Sequence, residues 1–229
     1  EPALTVVTLD ETAESLTIQT IEAVAYGRAK VALAASARQR LADFRARAEA
    51  AIKANPDKRV YGLNTGFGSN FKDYVSPEEL KQLQRNLILS HCAGVGDLAP
   101  APVVRATMLM RAASLARGRS VARPVVVETL IDMLNNEVTP AVPRHGSVSA
   151  SGDLAPLSHI AAVVIGEGRV LNGKGEGVVT KDWLIAHPSA FTPIELELKE
   201  GLALNNGCQY SNAWGALATA QMRRLIETA

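Results

Sequence analysis

The sequence predicts a mainly α protein: a helical bundle with one small β-hairpin, in which glycine-bearing and small-residue stretches form loops between helices. Three observations carry this. Hydrophobic residues make up 47% of the chain while aromatics are few (Phe 4, Tyr 4, Trp 2), so the core must be packed from Ala, Leu, Val and Ile. Prolines open several segments that have helical apolar spacing, as expected for the first turn of a helix. Charged residues are 21% and sum to only +1, which is a globular composition and excludes intrinsic disorder. The near-zero balance also gives no electrostatic drive onto nucleic acid or an anionic membrane.

The elements follow in order. Leu4-Thr5-Val6-Val7-Thr8-Leu9 is β-branched and short, a strand before a first helix that begins near Thr17. Ser36 is expected to cap a long Ala/Arg-rich helix with Ala37, Leu41, Phe44 and Ala48 on its apolar face, ending at Asn55-Pro56. From Arg59 to Tyr74 the glycines are too many for either regular element, so a loop is expected. Ser76-Pro77-Glu78-Glu79 combines a cap, a first-turn proline and first-turn acids, predicting a helix to about Cys92. Two more helices are expected over 101–117, closed by Gly118, and 124–136. An apolar helix from Leu154 to Ile165 comes next. Val170-Leu171 and Val178-Val179 flank an Asn172-Gly173 turn and predict the hairpin. A short helix over 181–187 and a long one from Gln209 finish the chain.

Several function classes fall away. Cys92 and Cys208 lack metal or redox spacing, so a reducing compartment is expected, with the cytoplasm as default location. No secretory leader opens the chain and no apolar run approaches the roughly 20 residues that cross a bilayer. Glu1 opens without an initiator Met and the last residues still read as helix, so one or both ends are expected to be cut. Gly173-Lys174-Gly175-Glu176-Gly177 lacks the strand-then-helix context of a nucleotide loop, and no phosphate-cradling lysine motif occurs. His91, His145, His159 and His187 are scattered without metal spacing, so no metal is expected. His159, on an apolar helix, reads as a satisfied core histidine and Trp214 as packing.

Ala150-Ser151-Gly152 stands apart. It lies in Gly146-Ser147-Val148-Ser149-Ala150-Ser151-Gly152-Asp153, which has neither helical nor strand period. Alone it would read as a helix entry with Ser151 or Asp153 as N-cap. It is accompanied, in order, by Tyr61-Gly62-Leu63-Asn64-Thr65-Gly66-Phe67-Gly68 and Leu89-Ser90-His91-Cys92-Ala93-Gly94-Val95-Gly96 upstream. Downstream comes Lys199-Glu200-Gly201-Leu202-Ala203-Leu204-Asn205-Asn206-Gly207. With Asp153-Leu154-Ala155-Pro156-Leu157-Ser158 completing the third block, the sequence resembles the histidine and aromatic amino-acid ammonia-lyases, most of all histidine ammonia-lyase. The resemblance covers residues 1–229 as the N-terminal part of such a catalytic chain.

The resemblance implies the N-terminal half of the ammonia-lyase fold, with active-site segments borne on loops. It implies that Ala150, Ser151 and Gly152 cyclise into a methylidene-imidazolone, an electrophile that no ordinary side chain supplies. Asp153 would promote the cyclisation. Tyr61 would be the base that removes a β-proton; a phenolate acting at neutral pH requires a site that lowers a tyrosine's ordinary pKa of about 10. Asn206 would contact the ring and the substrate, and the Gly66-Phe67 loop would close the site. His91, with Cys92 and Gly68, would face the substrate.

The reaction implied is loss of ammonia from L-histidine to give trans-urocanate, without metal or nucleotide. A polar side chain at His91 selects a polar aromatic substrate. A tyrosine hydroxyl could take the same hydrogen bond, so a tyrosine or phenylalanine lyase and a 2,3-aminomutase stay open. So does a non-catalytic partner or scaffold of the same fold. Three departures from the pattern stand out: Asn205 where an aliphatic residue is usual, Cys208 for Thr, and Ser149 for the Gly of many histidine-specific members. The family's carboxylate-binding arginine, second tyrosine and acid near the amine lie in C-terminal segments outside this sequence. The partners implied are therefore a C-terminal half or partner chain and a tetramer of like subunits with shared sites.

Overall fold

The computed structural model describes residues 5–55, 58–62, 65, 77–148 and 150–229, with only the backbone at 77–78. Among them the order is β1 (Thr5–Leu9), α1 (Ile18–Ala25), β2 (Ala29–Leu33), α2 (Ala35–Ala54), α3 (Pro77–His91), β3 (Val95–Leu98), α4 (Ala101–Ala116) and α5 (Pro124–Asn135). These are followed by β4 (Pro143–His145), α6 (Leu154–Val164), β5 (Arg169–Leu171), β6 (Gly177–Val179), α7 (Thr180–Ala186), α8 (Glu200–Asn205) and α9 (Gln209–Thr228). Helices dominate, as the aliphatic composition predicts.

Local chemistry sets the first elements. Thr17 caps α1: its hydroxyl accepts from the Thr20 amide while the Thr20 hydroxyl accepts from the Thr17 amide. β1 runs parallel to β2, with Val7 opposite Val31 and Leu9 opposite Leu33, and α1 is the crossover. Asn135, ending α5, extends the pair: its Oδ1 accepts from the Val31 amide at 2.9 Å and its Nδ2 donates to the Val31 carbonyl at 2.8 Å. β2 had no sequence expectation, because its partner lies a helix away and its alternation is short.

α2 begins one residue before the expected cap. Ala34 holds the cap position without a side-chain bond, and Ser36 donates instead to Glu11. The expected apolar face is also shifted, since the inward positions are Ala37, Leu41 and Arg45 while Phe44 and Ala48 are only partly covered. Arg45 can point inward because Glu49, Glu197 and Glu200 meet it there.

α4 lies at the centre, packed on α1, α5 and α9, with most of its length buried. Its Arg105 donates to the carbonyls of Val24, Ala25 and Leu134, bridging the last turns of α1 and α5. Prolines in the first turns of α4 and α5 and a left-handed Gly118 after α4 fit the sequence reading. The β5–β6 hairpin forms as expected, but its turn spans 172–176. The Asn172 side chain accepts from the Lys174 and Glu176 amides, and Gly175 takes the positive φ. A further antiparallel pair, β3 with β4, joins the segment after α3 to the one before α6, placing Val95 opposite His145.

Candidate active site

Three of the four sequence blocks meet where α6 begins and α8 turns into α9. Gly146 and Gly94 touch: a Cβ on Gly146 would lie 3.0 Å from the Gly94 Cα and 3.1 Å from the Ala155 Cβ. The chain then loops out through Ala150 and Ser151, both exposed, and returns to the interior at Asp153. Ser151 is left-handed, with φ of 62°, and Gly152 follows at 112°. A side chain at Gly152 is excluded twice, by that φ and by space. A Cβ there would lie 2.7 Å from the Gly207 carbonyl oxygen and 2.8 Å from its nitrogen.

Asp153 closes the loop. It sits at the N-cap position of α6 yet makes no cap bond to that helix, so the capping account of its carboxylate does not hold. Its Oδ1 accepts from the hydroxyls of Ser147 (2.6 Å) and Ser211 (2.7 Å), and its Oδ2 from the Ser211 amide (2.8 Å). Ser211 lies in the first turn of α9, so the carboxylate occupies the amide-rich end of that helix, where negative charge is favoured. These bonds compensate for burying a carboxylate that is only 1% exposed. The Asp153 amide donates to the Gly207 carbonyl at 2.7 Å. Ser147 and Asp153 thus pin the two ends of a loop with the tripeptide at its tip.

Asn206 caps the C-terminal end of α8 as an exposed residue, next in the chain to the Gly207 that meets Gly152. Asn205 turns the other way. It is buried, its Nδ2 donates to Ser158 on α6, and its Oδ1 has no partner among the described residues. The block that carries these asparagines is anchored at its start by ions. Glu200 is fully buried, with a two-pronged bond to Arg123 (2.8 and 2.7 Å) and Arg45 at 3.6 Å. Beside it, Gly201 leaves room for the Gln84 backbone, 2.8 Å from a would-be Cβ.

Tyr61 is 48% exposed and is tied to this block through Lys199. The Lys199 ammonium donates to the Tyr61 carbonyl at 3.0 Å and lies 5.8 Å from the ring centroid, and burial lowers its pKa. Gly66, Phe67 and Gly68, the expected closing loop and substrate contact, fall outside the described residues, as does Ser149.

His91 ends α3, where its Nδ1 meets the Leu87 carbonyl at 2.8 Å and the Ser90 hydroxyl at 3.1 Å. Cys92 is not brought to the tripeptide. It lines a separate cleft with Leu98, His159, Arg169 and Gly177, where burial pushes its thiol up to about 11. His159 in that cleft accepts from the Gly94 amide at 3.2 Å, and burial lowers its pKa, which agrees with its reading as a satisfied histidine. Trp214 packs edge-on against Tyr210, as its packing assignment expects.

Sequence reasoning missed Ser147, Ser211 and Lys199 as parts of the site. Ser147 and Lys199 stood inside the sequence blocks without an assigned role, and Ser211 carried no local signal.

This scaffold defines a class of helical protein that presents a looped-out small tripeptide against the corner of two later helices. The sequence profile of the aromatic amino acid lyases matches residues 16–229, and the chain belongs to that family. It is 42% identical over 214 residues to a tyrosine ammonia-lyase of Cupriavidus metallidurans, covering 93% of this chain and 39% of that protein. To a histidine ammonia-lyase of Anaeromyxobacter sp. it is 42% identical over 222 residues, covering 94% and 43%. Its fold superposes on the tyrosine aminomutase of Streptomyces globisporus with a TM-score of 0.84 at 38% identity, covering 94% of this chain and 39% of that one. The chain thus spans about two fifths of the length of the curated relatives it matches. Among the described residues, no helix is long and apolar enough to cross a membrane.

Proposed function

We propose that the protein eliminates ammonia from a polar aromatic α-amino acid, L-histidine first, giving the trans α,β-unsaturated acid, urocanate in that case. The observation that carries the reading is the looped tripeptide: Ser151 left-handed at the tip, Gly152 pressed on Gly207, and Asp153 held by Ser147 and Ser211. This is the shape that cyclisation asks for. The Gly152 nitrogen would bond to the Ala150 carbonyl carbon, whose oxygen leaves as water, and Ser151 would lose its hydroxyl and α-hydrogen as a second water. Only a residue without Cβ can bring its nitrogen into so crowded a place. The methylidene-imidazolone so formed supplies an electrophilic carbon, which turns a poor amine leaving group into a good one.

The remaining work falls to side chains. Tyr61 would take the β-proton through its phenolic oxygen. Asn206, exposed beside Gly207, would orient ring and substrate with one donor and one acceptor group. His91 would read the substrate's polar end, and a substrate lacking that polar group would leave it unpaired. Gly66, Phe67 and Gly68 would close the loop over the bound amino acid. Arginine and acid contacts from the rest of a longer chain, or from neighbouring subunits of a homotetramer, would complete the site.

A second reading, elimination from tyrosine or migration of its amine to the β-carbon, is favoured by His91, which can bond a phenol as well as an imidazole. Product analysis of the purified protein, in the longest form its gene encodes, tests both. Urocanate from histidine supports the first reading. Coumarate or β-tyrosine from tyrosine supports the second. No product from any aromatic amino acid, with an undehydrated tripeptide, would leave a non-catalytic member of the family.

A further inference from the structure

Arg111 is spent on no role described so far. It projects from α4, is 5% exposed, and makes no ion pair among the described residues. Burial pulls its pKa down to about 10, and its Nε has no hydrogen-bond partner among the described residues. A buried cation without a carboxylate is costly, so its bonds must secure something that a neutral side chain would not. Those bonds are few and directed. Nη1 donates to the Gln209 Oε1 at 3.0 Å, in the first turn of α9, and Nη2 donates to the Ala203 carbonyl near the end of α8. One planar group therefore bridges the two helices on either side of the Asn206-Gly207 corner. The corner is held tightly from that side, since a Cβ on Gly207 would fall on Arg111 Nη1 and Gln209 Oε1. On its other side, the Gly207 backbone meets Gly152 and accepts from the Asp153 amide.

We infer that Arg111, acting through Gln209 and the Ala203 carbonyl, is a positioning residue for formation of the electrophile: it fixes the Gly207 backbone as the anvil against which Gly152 is held for ring closure. The inference rests on the cyclisation reading above. It requires two directed bonds and not merely a charge, so a point cation should restore it only in part. Positional loss of this kind costs rate steeply, on the order of tenfold or more.

The test is intact mass sampled through cell-free synthesis of the full chain, which follows the loss of two waters, with circular dichroism and melting to score folding separately. Arg111→Met is expected to fold with the wild-type helical signal and to lose its waters about tenfold more slowly or worse. Arg111→Lys should fall between Arg111→Met and wild type, and Gln209→Ala should show a smaller delay than Arg111→Met. If Arg111→Met is insoluble, Gln209→Ala, at a half-covered position, carries the test. A folded Arg111→Met, or in its place Gln209→Ala, that dehydrates as fast as wild type would overturn the inference while leaving the electrophile reading intact. A wild-type chain that never loses its waters would overturn both.

Discussion

The α4–α5 core is buried along most of its length, whereas the α8–α9 corner is buried at Ala203, Leu204 and Asn205 but exposed at Asn206 and Cys208, and the two are held by different forces. Around α4, the apolar side chains Met108, Leu109, Leu115, Leu130 and Met133 fill space, and Arg105 bridges the last turns of α1 and α5. At the corner, the carboxylate of Asp153, the guanidinium of Arg111, the Glu200–Arg123 pair and two glycine backbones meet through hydrogen bonds of fixed direction. Burial free energy depends on area and volume and is indifferent to small rotations, whereas hydrogen bonds and glycine contacts fail within tenths of an ångström. The core therefore sets how stable the protein is, and the corner sets whether its tripeptide has the geometry for chemistry.

That division can be broken from either side. The largest effect expected is from Ser151→Ala, which should keep the melting temperature and the undehydrated mass while turnover falls on the order of a thousandfold or more. Normal turnover in that variant would remove the electrophile from the account. Tyr61→Phe should lower turnover by about 10²- to 10⁴-fold with the dehydrated mass unchanged, separating the base from ring formation. A Tyr61→Phe protein as fast as wild type would assign the base elsewhere. On the core side, Leu109→Ala should cost about 3 kcal/mol of stability in denaturant titration, yet every folded molecule should still lose its two waters. An undehydrated but folded Leu109→Ala would show that the two regions are coupled.

The smallest effect concerns pH. His159 accepts a bond from the Gly94 amide through Nε2, and burial lowers its pKa below the unfolded value, so the folded state favours the neutral ring. That contribution is present above the unfolded pKa and is lost as pH falls through the folded one. Melting temperature should decline modestly between about pH 7 and 5, and His159→Gln, which keeps an acceptor without the titration, should flatten the decline. An identical slope in both proteins would take His159 out of that dependence.

What the sequence disclosed follows the range of the forces. The helix start near Thr17, Pro124 and the Gly118 stop were legible because helix-end signals act within a few residues, though the cap expected at Ser36 was not formed. β2, β3 and β4 were not, since each needs a partner from a distant part of the chain. α8 escaped notice because it is only six residues long and enters from a left-handed Lys199. In the site, the tripeptide, Asp153 and Asn206 were legible as blocks, and the structure sets Gly207, the residue after Asn206, against Gly152 and Asp153. Ser147 stood in the tripeptide's block without a role and Ser211 had no local signal, because a serine's partner is set by tertiary approach. Cys92 was placed at the substrate by the family resemblance, whereas after α3 it lines a cleft with Leu98, His159, Arg169 and Gly177.

The central claim is that this corner builds an electrophile from Ala150, Ser151 and Gly152, and the intact mass of the purified wild-type protein tests it most directly. The account predicts a species lighter than its sequence by two waters, with the deficit confined by peptide mapping to the fragment containing Ser151 and absent from Ser151→Ala. A folded wild-type protein at its full sequence mass would contradict it.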